Sequence, residues 1–205
     1  LLRGFSVLDL NYRGSSGYGR RYRHALHQRW GISDVEDLFA AIRFCVDQGR
    51  VDAERVFIRG NSAGGYTVLR ALSAVQPADA QIRAGASLYG VSDLQRLNRE
   101  THKFESCYLH WLIGDPSLQK RYRDRSPIYR ANRFQRPVIF FQGQLDAVVP
   151  ANQTQRLYRQ LQERRLYNLQ QRGNRSRLSS VDGSLDGAAP ESEYLAFANE
   201  RHGFR

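Results

Sequence analysis

Methionine is missing from the whole 205-residue chain, and lysine occurs only as Lys103 and Lys120. A chain that begins at Leu1 without any methionine is expected to lack its natural N-terminus, and any targeting signal with it. Cysteine is almost as scarce. Cys45 and Cys107 are too far apart in the chain to suggest a disulfide framework or a metal-ligand spacing. No metal and no cofactor are expected. Cysteine usage this sparse favours a reducing compartment, the cytoplasm. Cys45 falls inside an apolar helical pattern and reads as a core residue rather than a reactive thiol. No apolar run reaches the roughly 18 residues that a membrane span needs, so no membrane association is expected. Acidic residues are outnumbered: 20 Asp and Glu face 31 Lys and Arg, a formal net charge of +11. Such an excess can mark a nucleic-acid binder. Here the arginines are scattered, interleaved with acids, and match no binding motif. A solvated basic surface is expected, and no nucleic-acid partner.

What the chain does contain is ordinary for a globular protein, 41% hydrophobic and 25% charged. Its length suits one domain, residues 1–205, with room to bury about 70% of the unfolded surface. The organising stretch is Val56 to Tyr66, VFIRGNSAGGY. It reads as a short apolar strand, a G-x-S-x-G turn and the first turn of a helix. In such a nucleophile elbow a sharp strand-to-helix turn lifts the serine hydroxyl out of the sheet. Gly60 and Gly64 flank Ser62, where side chains are expected to collide with the neighbouring strand or helix. Gly65 is expected to let the helix approach the sheet. A plain strand-to-helix turn would show the same spacing, so the motif alone decides nothing.

Further strands are expected at Gly4 to Leu10, Ala84 to Tyr89, Pro137 to Gln142 and Glu193 to Ala198. A helix is expected from Ser33 to about Gln48. Ser33 and Glu36 would form a capping box, and Val35, Leu38, Phe39, Ile42, Cys45 and Val46 an apolar face. The helix after Ser62 should end before Pro77, and another should run from Ala151 to about Gln162. Gly90 to Arg133 reads as long and irregular. Arg172 to Glu191 is rich in Ser, Gly, Asp and Arg, and a flexible insertion is expected at about 165–190. Alternating strands and helices predict an α/β fold, a doubly wound and mostly parallel sheet.

Loops at the carboxyl ends of parallel strands carry the ligands of such sheets. Ser62, Asp146 and His202 all fall there, in the chain order of the α/β-hydrolase fold. A serine hydroxyl is a weak nucleophile until a base takes its proton. His202 suits that base, and Asp146 would orient the imidazole and stabilise its charged form. The backbone N–H of Ala63 would hold the oxyanion. Each residue also has a plainer reading. Asp146 could serve the turn before Val148, and His202 could be a solvated loop histidine. Asp93 and Asp115 compete as the acid, though Asp93 is better explained as a helix cap. His24, His27, His102 and His110 have no partner at a convincing spacing, and Glu105 reads as a salt-bridge or cap residue.

The segments NYRGSSGYG, RGNSAGGYT, GVSDL, THKFESCYL, SPIYR, PVIFFQGQLDAVVPAN and NERHGF together resemble the catalytic domain of the prolyl oligopeptidase family of serine peptidases. The acylaminoacyl-peptidase and dipeptidyl-peptidase-like bacterial branch is most similar, over all but about 165–190. The resemblance implies Ser62 as nucleophile, Asp146 as acid and His202 as base of a peptidase acting on short peptides. It places Val91, Tyr108 and Val149 near the first specificity pocket, where simple packing roles are the alternative. Three departures stand out. The family's N-terminal β-propeller, its glycine-rich oxyanion loop and the helix that follows the histidine loop are not in this sequence. The expectation is a chain truncated at both ends, with a β-propeller in the full-length protein. The competing expectations are a carboxylesterase or other acyl hydrolase on the same fold, and an inactive fragment of the peptidase.

Overall fold

Four strands form one parallel sheet in the computed structural model, which describes residues 4–100, 103–176 and 190–204. They are β1 (Phe57–Asn61), β2 (Ala84–Leu88), β3 (Val138–Gly143) and β4 (Glu193–Phe197), hydrogen-bonded in that order. Between and around them run α1 (Gly19–His24), α2 (Ser33–Asp47), α3 (Ala63–Leu72), α4 (Leu94–Glu100), α5 (Lys103–Ile113), α6 (Gln119–Arg125) and α7 (Ala151–Ser176). The four strands foreseen after residue 50 are all present. In-register pairs such as Gly60–Ser87, Ser87–Phe140 and Phe140–Tyr194 line up one face of the sheet. That face meets α2, α3 and α7 around Val68, Leu72, Phe140 and Leu157. The small residues of β2 have a packing cause. A Cβ at Gly85 would lie 2.7 Å from Leu72 and 2.9 Å from Val68, so α3 rests directly on the strand. A second apolar cluster, with Trp30, Tyr66, Leu109 and Tyr122, fills the space beyond the carboxyl ends of the strands.

Several expectations need correction. Gly4 to Leu10 is not a strand. Its backbone is irregular, and Phe5, Val7 and Leu8 are 60%, 77% and 57% exposed. Among the described residues no strand pairs with it: it faces the open edge of β1 across a groove without hydrogen-bonding to it, and an apolar run alone does not make a strand. The Ser33–Glu36 capping box is absent, because α2 starts at Ser33 itself. Ser33 Oγ accepts from Arg29, Glu36 pairs with Arg13 and Arg29, and the buried Asp34 takes the Gly31 N–H. Gly90 to Arg133 is more regular than its composition suggests, holding α4, α5, α6 and a 3-10 turn at Pro127–Arg133. Its apolar residues point into the second cluster. Helix α7 runs on to Ser176 rather than stopping near Gln162. Arg164 anchors that extension by donating to the carbonyls of Ala131 and Phe134. The remainder of the insertion expected at 165–190 lies, for residues 177–189, outside the described residues.

Candidate active site

Ser62 sits between β1 and α3 with φ 49° and ψ −114°, a strained conformation for a residue with a Cβ. The glycines around it divide into two kinds. A Cβ at Gly60 would strike the Gly64 carbonyl, and one at Gly65 would lie 2.8 Å from the Gly90 Cα. Those two permit the sharp turn and the close approach to β2. Gly64 does not: a Cβ there would meet nothing within 4 Å, contrary to the collision expected of it. Its carbon points outward, because the helix turns it away from the sheet. As the first residue of α3, Ala63 has an N–H that no carbonyl of its own helix can accept, and it lies at the positive end of the helix dipole.

Asp146 lies in the turn after β3 and is 5% exposed. Its Oδ1 accepts the N–H groups of Val148 and Val149 at 2.9 and 2.8 Å. So it is a turn residue, and its other oxygen is still free to act. Oδ2 lies 2.8 Å from His202 Nδ1. On the far side of the ring, His202 Nε2 lies 3.0 Å from Ser62 Oγ. A carboxylate can only accept, so Nδ1 carries the hydrogen and Nε2 offers its lone pair to the serine hydroxyl. Ser62, His202 and Asp146 thus form one hydrogen-bonded row.

Backbone contacts set the spacing of the two loops. Gln144 donates to the Phe197 carbonyl and Leu145 to the Glu200 carbonyl, each at 3.0 Å. A Cβ at Gly143 would collide with that same Glu200 carbonyl. Two supporting residues were not foreseen from sequence. Tyr89, at φ 40°, lays its ring edge-on to the His202 imidazole at 4.7 Å and also packs on Phe204. Its signal was a bulky aromatic closing a strand just before glycine. Gln142 is fully buried inside the acid turn. Its amide donates to the carbonyls of Gly143 and Val149 at 3.1 Å and lies 3.5 Å from Asp146 Oδ2, while its oxygen accepts from Thr154 at 2.7 Å. A lone polar residue ending the apolar run PVIFFQ was the readable clue.

Beside Ser62 opens a cavity of about 190 Å³. Ser62 and Ala63 edge it, and Val91, Tyr108 and Val149 all line it. Trp30, Leu26, Leu109 and Leu112, with Tyr12, Leu97 and Val148, complete its walls and were not anticipated. Tyr108 is 61% exposed at the mouth, whereas Val91 and Val149 are buried. Every lining side chain other than Ser62 is apolar or aromatic.

The competing groups are occupied elsewhere. Asp93 caps α4 through the Arg96 N–H and faces Arg156. Asp115 closes a turn on Ser117, whose hydrogen bonds hold its carboxyl below the usual range. His24 and His27 pack on Trp111, and His110 meets Asn98. His102 and the side chain of Glu105 lie outside the described residues. Among the described residues, no group of three or more His, Cys, Asp or Glu converges as a metal site would need. None of the described helices is long and apolar enough to cross a membrane.

Residues 1–205 match the family model described as "Prolyl oligopeptidase family". The chain belongs to the prolyl oligopeptidase family. It is similar to dipeptidyl aminopeptidase BIII of Pseudoxanthomonas mexicana, 29% identical over 170 residues that make up 80% of this chain and 24% of that protein. The acylamino-acid-releasing enzyme of Sus scrofa is 31% identical over 168 residues, 78% of this chain and 22% of that one. Among solved structures, a Mycobacterium tuberculosis puromycin-hydrolyzing peptidase superposes with a TM-score of 0.79 at 40% identity, over 96% of this chain and 26% of that one. The fold of this family member is accordingly the α/β-hydrolase fold. The chain spans about a quarter of the length of the relatives that it matches.

Proposed function

We propose that the protein is a serine peptidase that cleaves short peptides through an acyl-enzyme, with Ser62 as nucleophile, His202 as general base and Asp146 as the orienting acid. The observation that carries this reading is the row Asp146–His202–Ser62, with gaps of 2.8 and 3.0 Å. Attack of Ser62 Oγ on the peptide carbonyl passes its proton to His202 Nε2. Asp146, held by two backbone N–H groups, keeps the ring in place and balances its charge. The carbonyl oxygen turns anionic against the Ala63 N–H; one such donor is typically worth about 10²–10³ in rate. The imidazolium then protonates the departing amine. Water, activated by the same ring, releases the acyl group.

The cavity beside Ser62, lined otherwise by apolar and aromatic side chains alone, supports a substrate with an apolar or aromatic side chain on the acyl residue. Val91, Tyr108 and Val149 are its specificity residues in this reading. The similarity to a dipeptidyl aminopeptidase, an acylamino-acid-releasing enzyme and a puromycin-hydrolyzing peptidase supports amide cleavage in short substrates. The low share of those relatives that the chain covers supports a larger whole protein, with a β-propeller as its further domain. The two unpaired cysteines, Cys45 and Cys107, support a reducing compartment, the cytoplasm.

The test compares a phenylalanyl p-nitroanilide with a p-nitrophenyl ester on the whole protein. Turnover of the anilide that disappears in Ser62→Ala is the expected result. Ester hydrolysis without any anilide cleavage would replace the peptidase by a carboxylesterase or another acyl hydrolase.

A further inference from the structure

The wall of the acyl cavity contributed by Trp30 stands on an irregular stretch, Gln28 to Gly31, whose geometry is costly to maintain. Gln28 has φ 53°, the left-handed region that a Cβ disfavours, and Gly31 takes φ 76°, which glycine adopts freely. A side chain at Gly31 would run into the Tyr66 hydroxyl. Yet Trp30 is 5% exposed and its ring lies 4.2 Å from that of Tyr66, in the helix that begins at the nucleophile. Something must pay for the strain and fix the indole.

Two buried arginines do so. Arg125 donates to the carbonyls of Gln28 and Trp30 at 3.0 and 3.3 Å. Arg70, two turns into α3, donates through Nε and Nη2 to the Gly31 carbonyl at 3.3 and 3.2 Å. The hydrogen bonds both guanidiniums make here go to backbone oxygens, with Arg70 Nη1 buried and unpartnered, and burial pushes the guanidinium of Arg125 below its usual range. Asp34 completes the clamp. It accepts the Gly31 N–H at 2.7 Å and the Thr67 hydroxyl of α3 at 2.6 Å. The Tyr66 hydroxyl donates to the Arg125 carbonyl, which ties α6 to α3 in turn. Desolvating two guanidiniums is expensive, and a loop with no task beyond connection could have met its carbonyls with water.

The geometry points to Arg70 and Arg125 as positioning residues that set the depth of the acyl cavity by locking Trp30 against the nucleophile helix. Neither touches the substrate. Their effect is on which acyl side chain fits, and that consequence rests on the peptidase reading above; the placement of Trp30 does not.

Two measurements test this. Trp30 and Trp111 are the only tryptophans of residues 1–205; on the whole protein, the emission of Trp30 is read as the part of the indole signal that Trp30→Phe removes. By that difference, Arg125→Gln is expected to move the Trp30 emission to longer wavelength, and Arg125→Lys to restore part of the change. Emission that stays the same in Arg125→Gln overturns the clamp, whatever the activity. On the whole protein, Arg125→Gln is expected to lower the kcat/KM ratio of phenylalanyl over alanyl anilide by about tenfold, mainly through KM. Labelling of Ser62 by a small fluorophosphonate should stay within about threefold, since that probe does not fill the cavity. A fall of labelling and of both substrates together, with the ratio kept, overturns the proposal and leaves the arginines a general structural role. Failure of the unaltered protein to react with the probe would instead remove the peptidase reading, with the emission result still deciding the clamp.

Discussion

Two apolar stretches of this chain, Pro137 to Gln142 and Gly4 to Leu10, look alike in sequence and end differently. PVIFFQ becomes β3, paired on both sides, with Val138 and Phe140 buried against α7 and α3. GFSVLDL becomes irregular backbone with its large side chains exposed, next to a groove of about 350 Å³ along the β1 edge. Hydrophobicity is equal to the task in both. The difference is the neighbour. A strand buries little until flanking strands take its hydrogen bonds and a helix covers its side chains. β3 has both, and its carboxyl end can therefore carry the turn that presents Asp146.

The contrast can be broken in four graded ways. Phe140→Ala, in the best-packed strand, is expected to cost about 3–5 kcal/mol in urea denaturation, the usual range for a fully buried phenylalanine. Gln142→Leu keeps the volume but strips the acid turn of its inner amide. It leaves the Thr154 hydroxyl and the Val149 carbonyl without that partner, for an expected loss of about 1–3 kcal/mol and a drop in kcat that exceeds any change in KM. A milder effect is expected from Asp34→Asn, read as a pH slope. Burial holds the Asp34 carboxyl above its ordinary value of 3.8, against the hydrogen bonds of Thr67 and Gly31. The folded value lies above the unfolded one, so its contribution to stability is complete below 3.8 and is lost as pH rises through the raised value. Melting temperatures of the parent should fall relative to Asp34→Asn on going from acid toward neutral pH. A constant gap would show that Asp34 ionises no differently once folded. The smallest effect is expected at Val7→Ala, within about 0.5 kcal/mol, because that side chain is already in solvent. A cost like that of Phe140→Ala would show residues 4–10 to be packed after all.

Much of the site was legible because its chemistry is tied to short local patterns. G-x-S-x-G needs its strand and helix on either side, and the strands before Asp146 and His202 are apolar runs with clear ends. Gly60 and Gly65 followed from the steric demand of the turn. The parts that escaped are those set by long-range packing. Nothing around Trp30 or Arg125 announces that they meet across some 95 residues of chain. Tyr89 backs His202 only because β2 and β4 flank the same strand. No local pattern marks the burial of Asp34, the second residue of α2, beside Thr67. Gly64 was misjudged because the direction of its missing side chain depends on where the helix sits, which the motif does not encode.

Mass-spectrometric mapping of a fluorophosphonate adduct, on the whole protein and on its His202→Ala variant, tests the central claim most directly. A single adduct on the peptide bearing Ser62, formed at least about a hundredfold more slowly without the imidazole, is the predicted result. An adduct elsewhere, or one that forms at Ser62 equally fast in His202→Ala, would contradict it.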